Sequence, residues 1–401
     1  IKRSDKWLSV FVPISAATGG FGTLLPLYII SLGGTVIDVG NIVSAYSLAL
    51  IPSSVLWGFA VDRWNRRKPF VTYCYLAIAM LLFAGFFATE ISMMLLLYVC
   101  YGVVSTAATP AVSLLIMESS RKKKLSTMFA KYSALSLVGT AIGSIPGTFW
   151  TNFFPLRAYF LLCGGFSGLS TVLASRYLSE PEFPLERKVV ALTQESFVAK
   201  LRSFSMIFVA IPSLEDIRSF GRLVRSVFTR HLPLLYFSFF LFYMGANLFF
   251  TAYTPFLTSR QLTDSAVFAV YSTLFILQAI IYLITGRACA RFGERPVALL
   301  ALCIRVLGFA AAIATVVLML QNSVLMTASM GVTALTGTGF ALFATSSSVL
   351  LFRSLPAGKQ GEYLGIYSAL TGIAAFAGAI LSGYLSFQFG YWLTFSAATF
   401  L

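Results

Sequence analysis

Eleven stretches of twenty or more largely apolar residues follow one another along this chain, separated by short polar loops. They lie near 8–31, 39–60, 69–89, 93–117, 126–148, 157–177, 232–257, 265–286, 296–319, 323–352 and 361–386, and a twelfth begins near 389. About twenty apolar residues coiled as a helix cross the ~30 Å hydrocarbon layer of a bilayer. Within that layer water cannot satisfy backbone N–H and C=O groups, so a spanning segment must satisfy its own, which a helix does. The pattern therefore predicts an all-α membrane protein with twelve transmembrane helices. The final segment is too short to span, so the sequence is expected to stop inside the twelfth helix. Composition agrees, with 58% hydrophobic residues and 11% charged. A soluble domain needs roughly 25% charged residues to cover its surface.

The net charge of +15 could reflect either a nucleic-acid partner or membrane topology. Position decides. Twenty-six of the 29 Lys and Arg residues fall in alternate loops. These are the N-terminal segment, the loops near 63–68, 121–131, 176–230 and 287–295, and Arg353 with Lys359. Arg157, Arg260 and Arg305 lie elsewhere. Positive loops stay on the cytoplasmic side, so the expectation is a multi-pass protein of the cell membrane with both termini cytoplasmic. No nucleic-acid partner is expected. The lone histidine, His231, and the spacing of Cys74, Cys100, Cys163, Cys289 and Cys303 give no metal-ligand pattern. The cysteines read as small buried hydrophobes. With no nucleophile–base pair in a helix interior, no catalytic residues, metal site or cofactor are expected, and the chain is not read as an enzyme.

Three regions are predicted: a six-helix bundle over 1–177, a cytoplasmic linker over 178–231, and a second six-helix bundle over 232–401. In the linker, Ile217, Phe220, Val224, Val227 and Phe228 recur at helical spacing with Arg218, Arg222 and Arg225 between them. That is the pattern of a basic amphipathic helix lying on the inner membrane surface.

The two bundles are related in sequence. Residues 113–145 and 348–380 align without gaps, sharing Tyr-Ser-Ala-Leu at 132–135 and 367–370 and a glycine eight residues later, Gly143 and Gly378. Earlier in each half, Gly58-Phe-Ala-Val-Asp62-Arg63-Trp-Asn-Arg66-Arg67 pairs with Gly286-Arg-Ala-Cys-Ala290-Arg291-Phe-Gly-Glu294-Arg295. Two matches in the same order indicate a parallel repeat, with the halves related by a pseudo-two-fold axis. Such repeats place a substrate site at their interface near the membrane midplane.

The segment WGFAVDRWNRRKP between the second and third spans resembles the loop signature of the major facilitator superfamily. It matches at Gly58, Asp62, Arg63, Arg66 and Arg67 and departs at Asn65, where the family usually has glycine. The resemblance implies the major facilitator fold and a secondary transporter working by alternating access. It further implies that Asp62 clamps the two halves on the cytoplasmic side by meeting the N-terminal end of the eleventh helix near 361–364. Glu118 resembles an acid that joins this cluster with a basic neighbour such as Arg66. The second copy of the motif, at Gly286 and Arg291, is degenerate, because Ala290 replaces the aspartate. The alternative is that these charges set topology and form no gate.

Polar and aromatic residues on the spans that line the cavity in that layout are Thr18, Thr23, Tyr46, Tyr101, Thr106, Tyr132, Tyr243, Asn247, Tyr253, Tyr271, Gln278 and Tyr367. Together they describe a wall of aromatics and hydroxyls with little net charge. It suits a neutral, amphipathic or weakly cationic solute better than a phosphate or dicarboxylate, which would want paired Arg. No carboxylate sits deep in a span; Asp38 and Glu90 fall at outer helix ends. Protons therefore couple, if at all, through a gate-level group such as Asp62. Lys131 is expected to snorkel, and Arg305 to have a structural partner. The run Gly139 to Gly147 is loosely similar to the helix-five motif of drug antiporters, or is simply small-residue packing with a proline bend. The leading expectation is efflux of a small solute by a protein working as a monomer in the lipid bilayer. The alternatives are an uptake carrier for a neutral metabolite or a receptor that does not transport.

Overall fold

The computed structural model of the chain describes residues 3–63, 67–119, 125–178, 232–354 and 360–401, and among them every regular element is helical. The first half contains α1 (Phe11–Ser31), α2 (Val36–Arg63), α3 (Arg67–Gly85), α4 (Ile91–Ser119), α5 (Leu125–Ser144) and α6 (Tyr159–Tyr177). The second contains α7 (Leu232–Ser259), α8 (Asp264–Phe292), α9 (Glu294–Val317), α10 (Asn322–Ser354), α11 (Gln360–Phe389) and α12 (Tyr391–Phe400). Ten of these helices are long and apolar enough to cross a membrane. The linker and its expected amphipathic helix lie outside the described residues.

Boundaries follow local chemistry. The segment expected to run unbroken over 126–148 instead ends as α5 at Ser144, and a separate seven-residue helix, Gly147–Phe153, follows. Pro146 has no N–H to continue the ladder and disfavours helical geometry in the residue before it. At the start of α8, Thr263 caps the first turn by accepting a hydrogen bond from the Ala266 N–H at 3.3 Å, and Asp264 faces the positive helix end. The turn from α8 into α9 passes through Gly293 at φ +86°, a left-handed conformation open to glycine.

In the first half α1 packs on α5 and α6, α3 on α4 and α6, and α2 on α4; in the second α9 and α8 pack on α10, and α7 on α11. The glycines shared by the repeat explain part of this. A Cβ at Gly143 would strike the Ala16 carbonyl of α1, and one at Gly378 would strike the Met244 carbonyl of α7. Each half thus brings two backbones together at the same place, which only a residue without a side chain permits. The second half also buries an aromatic cluster in which Phe249 stacks on Tyr253 at 4.8 Å and on Phe309 at 4.4 Å between ring centroids.

The halves meet chiefly along two helix pairs, α2 against α11 and α5 against α8. Large apolar side chains, among them Leu283, Leu299, Phe387 and Trp392, are exposed on the outside. That is the surface a lipid-facing bundle presents, since burying it from water supplies the drive to enter the bilayer.

Candidate functional site

Two connected chambers lie between the halves. The larger, about 850 Å³, is walled by α1, α2 and α4 on one side and by Tyr243 and α11 on the other. The smaller, about 400 Å³, is walled by α1, α2, α4, α7 and α8 with Phe340 of α10. Gly22, Tyr98 and Tyr243 belong to both walls. No Asp, Glu, Lys or Arg among the described residues lines either chamber.

Three tyrosines dominate the first half's wall. Tyr46 of α2 stacks on Tyr98 of α4 with ring centroids 4.3 Å apart and planes 14° apart, and Tyr101 lies one helical turn further on. Phe21 of α1 closes edge-on against Tyr101 at 4.8 Å. A spacing of three on α4 puts Tyr98 and Tyr101 on one face. On the opposite wall the Tyr243 hydroxyl hydrogen-bonds the Tyr367 hydroxyl at 3.1 Å. The Asn247 amide N–H donates to the Tyr243 carbonyl at 2.9 Å. The Tyr271 hydroxyl accepts from Thr254 at 2.9 Å.

The expected cavity residues divide into two groups. Thr18, Tyr46, Tyr101 and Thr106 line the larger chamber, Asn247, Tyr271 and Gln278 the smaller, and Tyr243 both. Tyr367 reaches the wall through its bond to Tyr243. Three others line neither chamber. Thr23 is fully buried, with its hydroxyl bonded back to the Gly19 carbonyl. Tyr253 sits inside the aromatic cluster of the second half, and Tyr132 meets Phe11 edge-on at 5.0 Å. Helical periodicity places a polar residue on a face but does not say which neighbour that face meets. Tyr98, Ser54, Ser105 and Thr371 also line the larger chamber, beyond the residues expected there. For Tyr98 the sequence signal is its spacing of three from Tyr101.

The chambers are shut on the side of the sparsely charged loops, those between α1 and α2, α5 and α6, and α7 and α8. Gly40 of α2 lies against Gly383 of α11, where a Cβ would come within 3.1 Å of the Gly383 Cα. Ser144 bonds Ser272 at 3.1 Å, Ser265 donates to the Thr148 carbonyl, and Phe268 packs over Gly147. Further along the α2–α11 seam, Ile51 faces Gly372.

The loop-signature residues lie at the other end of the bundle. Gly58, Asp62 and Arg63 are on the last turns of α2, Arg67 opens α3, and Glu118 ends α4. Their side chains, and Arg66 entirely, fall outside the described residues. At Gly286 a Cβ would meet nothing within 4 Å among the described residues. Arg291 lies over the Phe292 ring at 5.3 Å. Arg305 is buried with its guanidinium over Phe242 at 4.1 Å and Phe309 at 4.8 Å, so its structural partners are rings. Cys303, expected to be buried, is exposed on α9.

Known proteins bear on this geometry in three ways. The sequence model of the Major Facilitator Superfamily matches residues 7–256 and 235–401. Among relatives, the multi-drug resistance efflux pump PmrA of Streptococcus pneumoniae is 29% identical over 157 residues, 39% of this chain and 38% of that protein. The chain thus spans under two-fifths of the PmrA length. The uncharacterized MFS-type transporter MJ1560 of Methanocaldococcus jannaschii is 18% identical over 95% of this chain and 90% of its own. Among solved structures, the nucleoside transporter NupG superimposes with a TM-score of 0.73 at 16% identity, covering 99% of this chain and 97% of that one. A D-xylose-proton symporter superimposes at 0.71 and 12% identity, covering 99% and 94%. These likenesses establish the shared fold. With the family matched along nearly its whole length, this chain belongs to the Major Facilitator Superfamily.

Proposed function

We propose that the protein is a secondary transporter that exports a small amphipathic or neutral solute by alternating access. The observation that carries this reading is the interfacial cavity itself: aromatic and hydroxyl walls, no lining charge among the described residues, and contributions from both halves. A compact anion such as a phosphate or dicarboxylate would pay its desolvation cost in such a site without an opposite charge to offset it, whereas a delocalised aromatic cation such as ethidium would be held by the ring faces. An amphipathic substrate is held by stacking and a few hydroxyls. The partial similarity to a drug efflux pump supports the outward direction. In this reading residues 1–177 and 232–401 rock as two bodies about the α2–α11 and α5–α8 seams, with 178–231 joining them. Closure at the sparsely charged face corresponds to the inward-open state, if the basic loops are cytoplasmic.

The gate follows from helix register. Gly40 faces Gly383, and eleven residues along α2 Ile51 faces Gly372, eleven residues back along α11. Two antiparallel helices of equal rise keep that register. Another eleven residues bring Asp62 level with Gly361, in the first turn of α11. A carboxylate there meets the positive end of the helix dipole. On this register Asp62 would be the clamp that holds the basic face shut once the opposite face opens, the role that the loop signature of Arg63, Arg66, Arg67 and Glu118 implies.

The test is flux in proteoliposomes, with and without a proton gradient, using ethidium against a sugar and a neutral amino acid. Export of ethidium above protein-free liposomes supports the reading. Movement of only the sugar or amino acid makes the protein an uptake carrier. Flux indifferent to the gradient removes protons as the coupling ion.

A further inference from the structure

The smaller chamber has a chemistry that sets it apart from the larger one. Its polar groups include two side-chain carboxamides, Asn247 on α7 and Gln278 on α8, together with the Thr251 hydroxyl. Asn247 uses one N–H on the Tyr243 carbonyl. That leaves its carbonyl oxygen and its second N–H open. Gln278 and Thr251 make no side-chain hydrogen bond among the described residues, and neither is sealed from the chamber as a buried unsatisfied atom. The rest of the wall is apolar or aromatic, with Phe250, Phe275 and Phe340 beside Leu25, Val39, Val43 and Leu274. Asn247 and Gln278 are half-buried, so an occupant of the chamber can supply the hydrogen-bond partners that they lack.

A carboxamide is both donor and acceptor at adjacent atoms. Its best neutral complement is another such edge: a primary or secondary amide, a lactam or a ureide, which exchanges two hydrogen bonds in one plane. Charged groups fit poorly, since no lining residue would neutralise them. Water would satisfy the same atoms only one at a time.

We propose that the smaller chamber is a head-group subsite for an uncharged amide-type edge on an aromatic ligand. Asn247 and Gln278 read that edge, and the ligand's aromatic body passes between Tyr98 and Tyr243 into the tyrosine-walled larger chamber. This rests on the transporter reading only in naming the ligand a substrate; the subsite itself is a binding claim.

The probes are 2-naphthamide and 2-acetonaphthone, which differ only in NH₂ against CH₃ beside the same carbonyl. Binding to the purified full-length chain in detergent is followed by naphthyl fluorescence. The expected result is a preference for the amide of about tenfold or more, since a site built to pair a donor is left unpaired by the ketone. Gln278→Leu and Asn247→Leu should each weaken the amide more than the ketone, because the amide loses two hydrogen bonds and the ketone at most one. Gln278→Met, if the leucine variant fails to fold, should likewise weaken the amide more than the ketone. Equal affinities for the two probes, or equal losses of both in the variants, would mean that the chamber holds water only and would overturn the proposal. The two readings fail separately. Amide-selective binding without flux in liposomes defeats transport and keeps the subsite; ethidium export with no amide selectivity does the reverse.

Discussion

Gly40→Val should tip the protein away from the conformation described here, and by an amount that the seam itself sets. A Cβ on Gly40 would lie 2.8 Å from the Ala379 carbonyl oxygen and 3.1 Å from the Gly383 Cα, both main-chain atoms of α11. Comfortable carbon contacts lie at about 3.5–4.0 Å. The first branch atom alone therefore requires the two helices to part by roughly 0.7 Å or more, and the valine methyls demand further space. Overpacking of this kind costs about 1–3 kcal/mol. The strain exists only while this end of the seam is shut, so opening it relieves the cost. At about 1.4 kcal/mol per factor of ten, the closed population should fall roughly 5- to 150-fold relative to its competitor. Cross-linking provides the assay. In a background lacking the five native cysteines, Ser144→Cys with Ser272→Cys places two thiols where the hydroxyls sit 3.1 Å apart, on the other seam of the same face. Gly40→Val should slow disulfide formation between them by a comparable factor. If the purified variant remains folded and cross-links at the parental rate, the seams are not coupled and the two-body reading is wrong.

Three further predictions are independent of that one. Asp62→Asn should reduce flux at least tenfold while leaving membrane insertion and thermal stability within experimental scatter, and unchanged flux would reduce the motif to a topology signal. Tyr98→Ala removes the ring stacked on Tyr46 and should raise the half-saturating ethidium concentration about tenfold, consistent with one aromatic contact and some lost burial. Tyr98→Phe should retain most affinity, and if it matches the alanine variant, hydrogen bonding outweighs stacking there. Arg305→Met should leave the melting temperature nearly unchanged or raised, because a buried cation with no acid partner among the described residues can be exchanged for an apolar chain of similar volume at little cost. Arg305→Ala should lower stability by about 2–4 kcal/mol through the void it leaves. A methionine variant as unstable as the alanine one would show that the guanidinium's ring contacts matter more than its volume.

Much of the candidate site is legible in the amino-acid sequence. Tyr46, Tyr101, Tyr243 and Gln278 can be named from it because polar residues inside a span are costly and so tend to face an aqueous or protein interior. That rule does not separate cavity from packed core. Thr23 satisfies itself on its own helix, and Tyr253 is swallowed by Phe249, Phe256 and Phe395. Arg305 carries the same lesson from the charged side: its depth marks it as unusual, but its ring partners come from α7 and its own helix.

The succession of apolar segments, the alternation of basic loops and the repeated glycines are determined by sequence alone. Each is a constraint acting within one helix or one loop: backbone satisfaction in lipid, the side a charge can occupy, and the absence of a side chain. The partners of those elements are decided only by tertiary structure. Gly143 and Gly378 are visible as a repeat, yet it takes the fold to show that each admits the backbone of α1 or α7. The seams at Gly40–Gly383 and Ser144–Ser272 depend on residues more than one hundred positions apart, and so does the chamber that leaves Asn247 and Gln278 open. No periodicity encodes such meetings. They arise because close packing of complete helices selects one arrangement among many that the same apolar faces would allow.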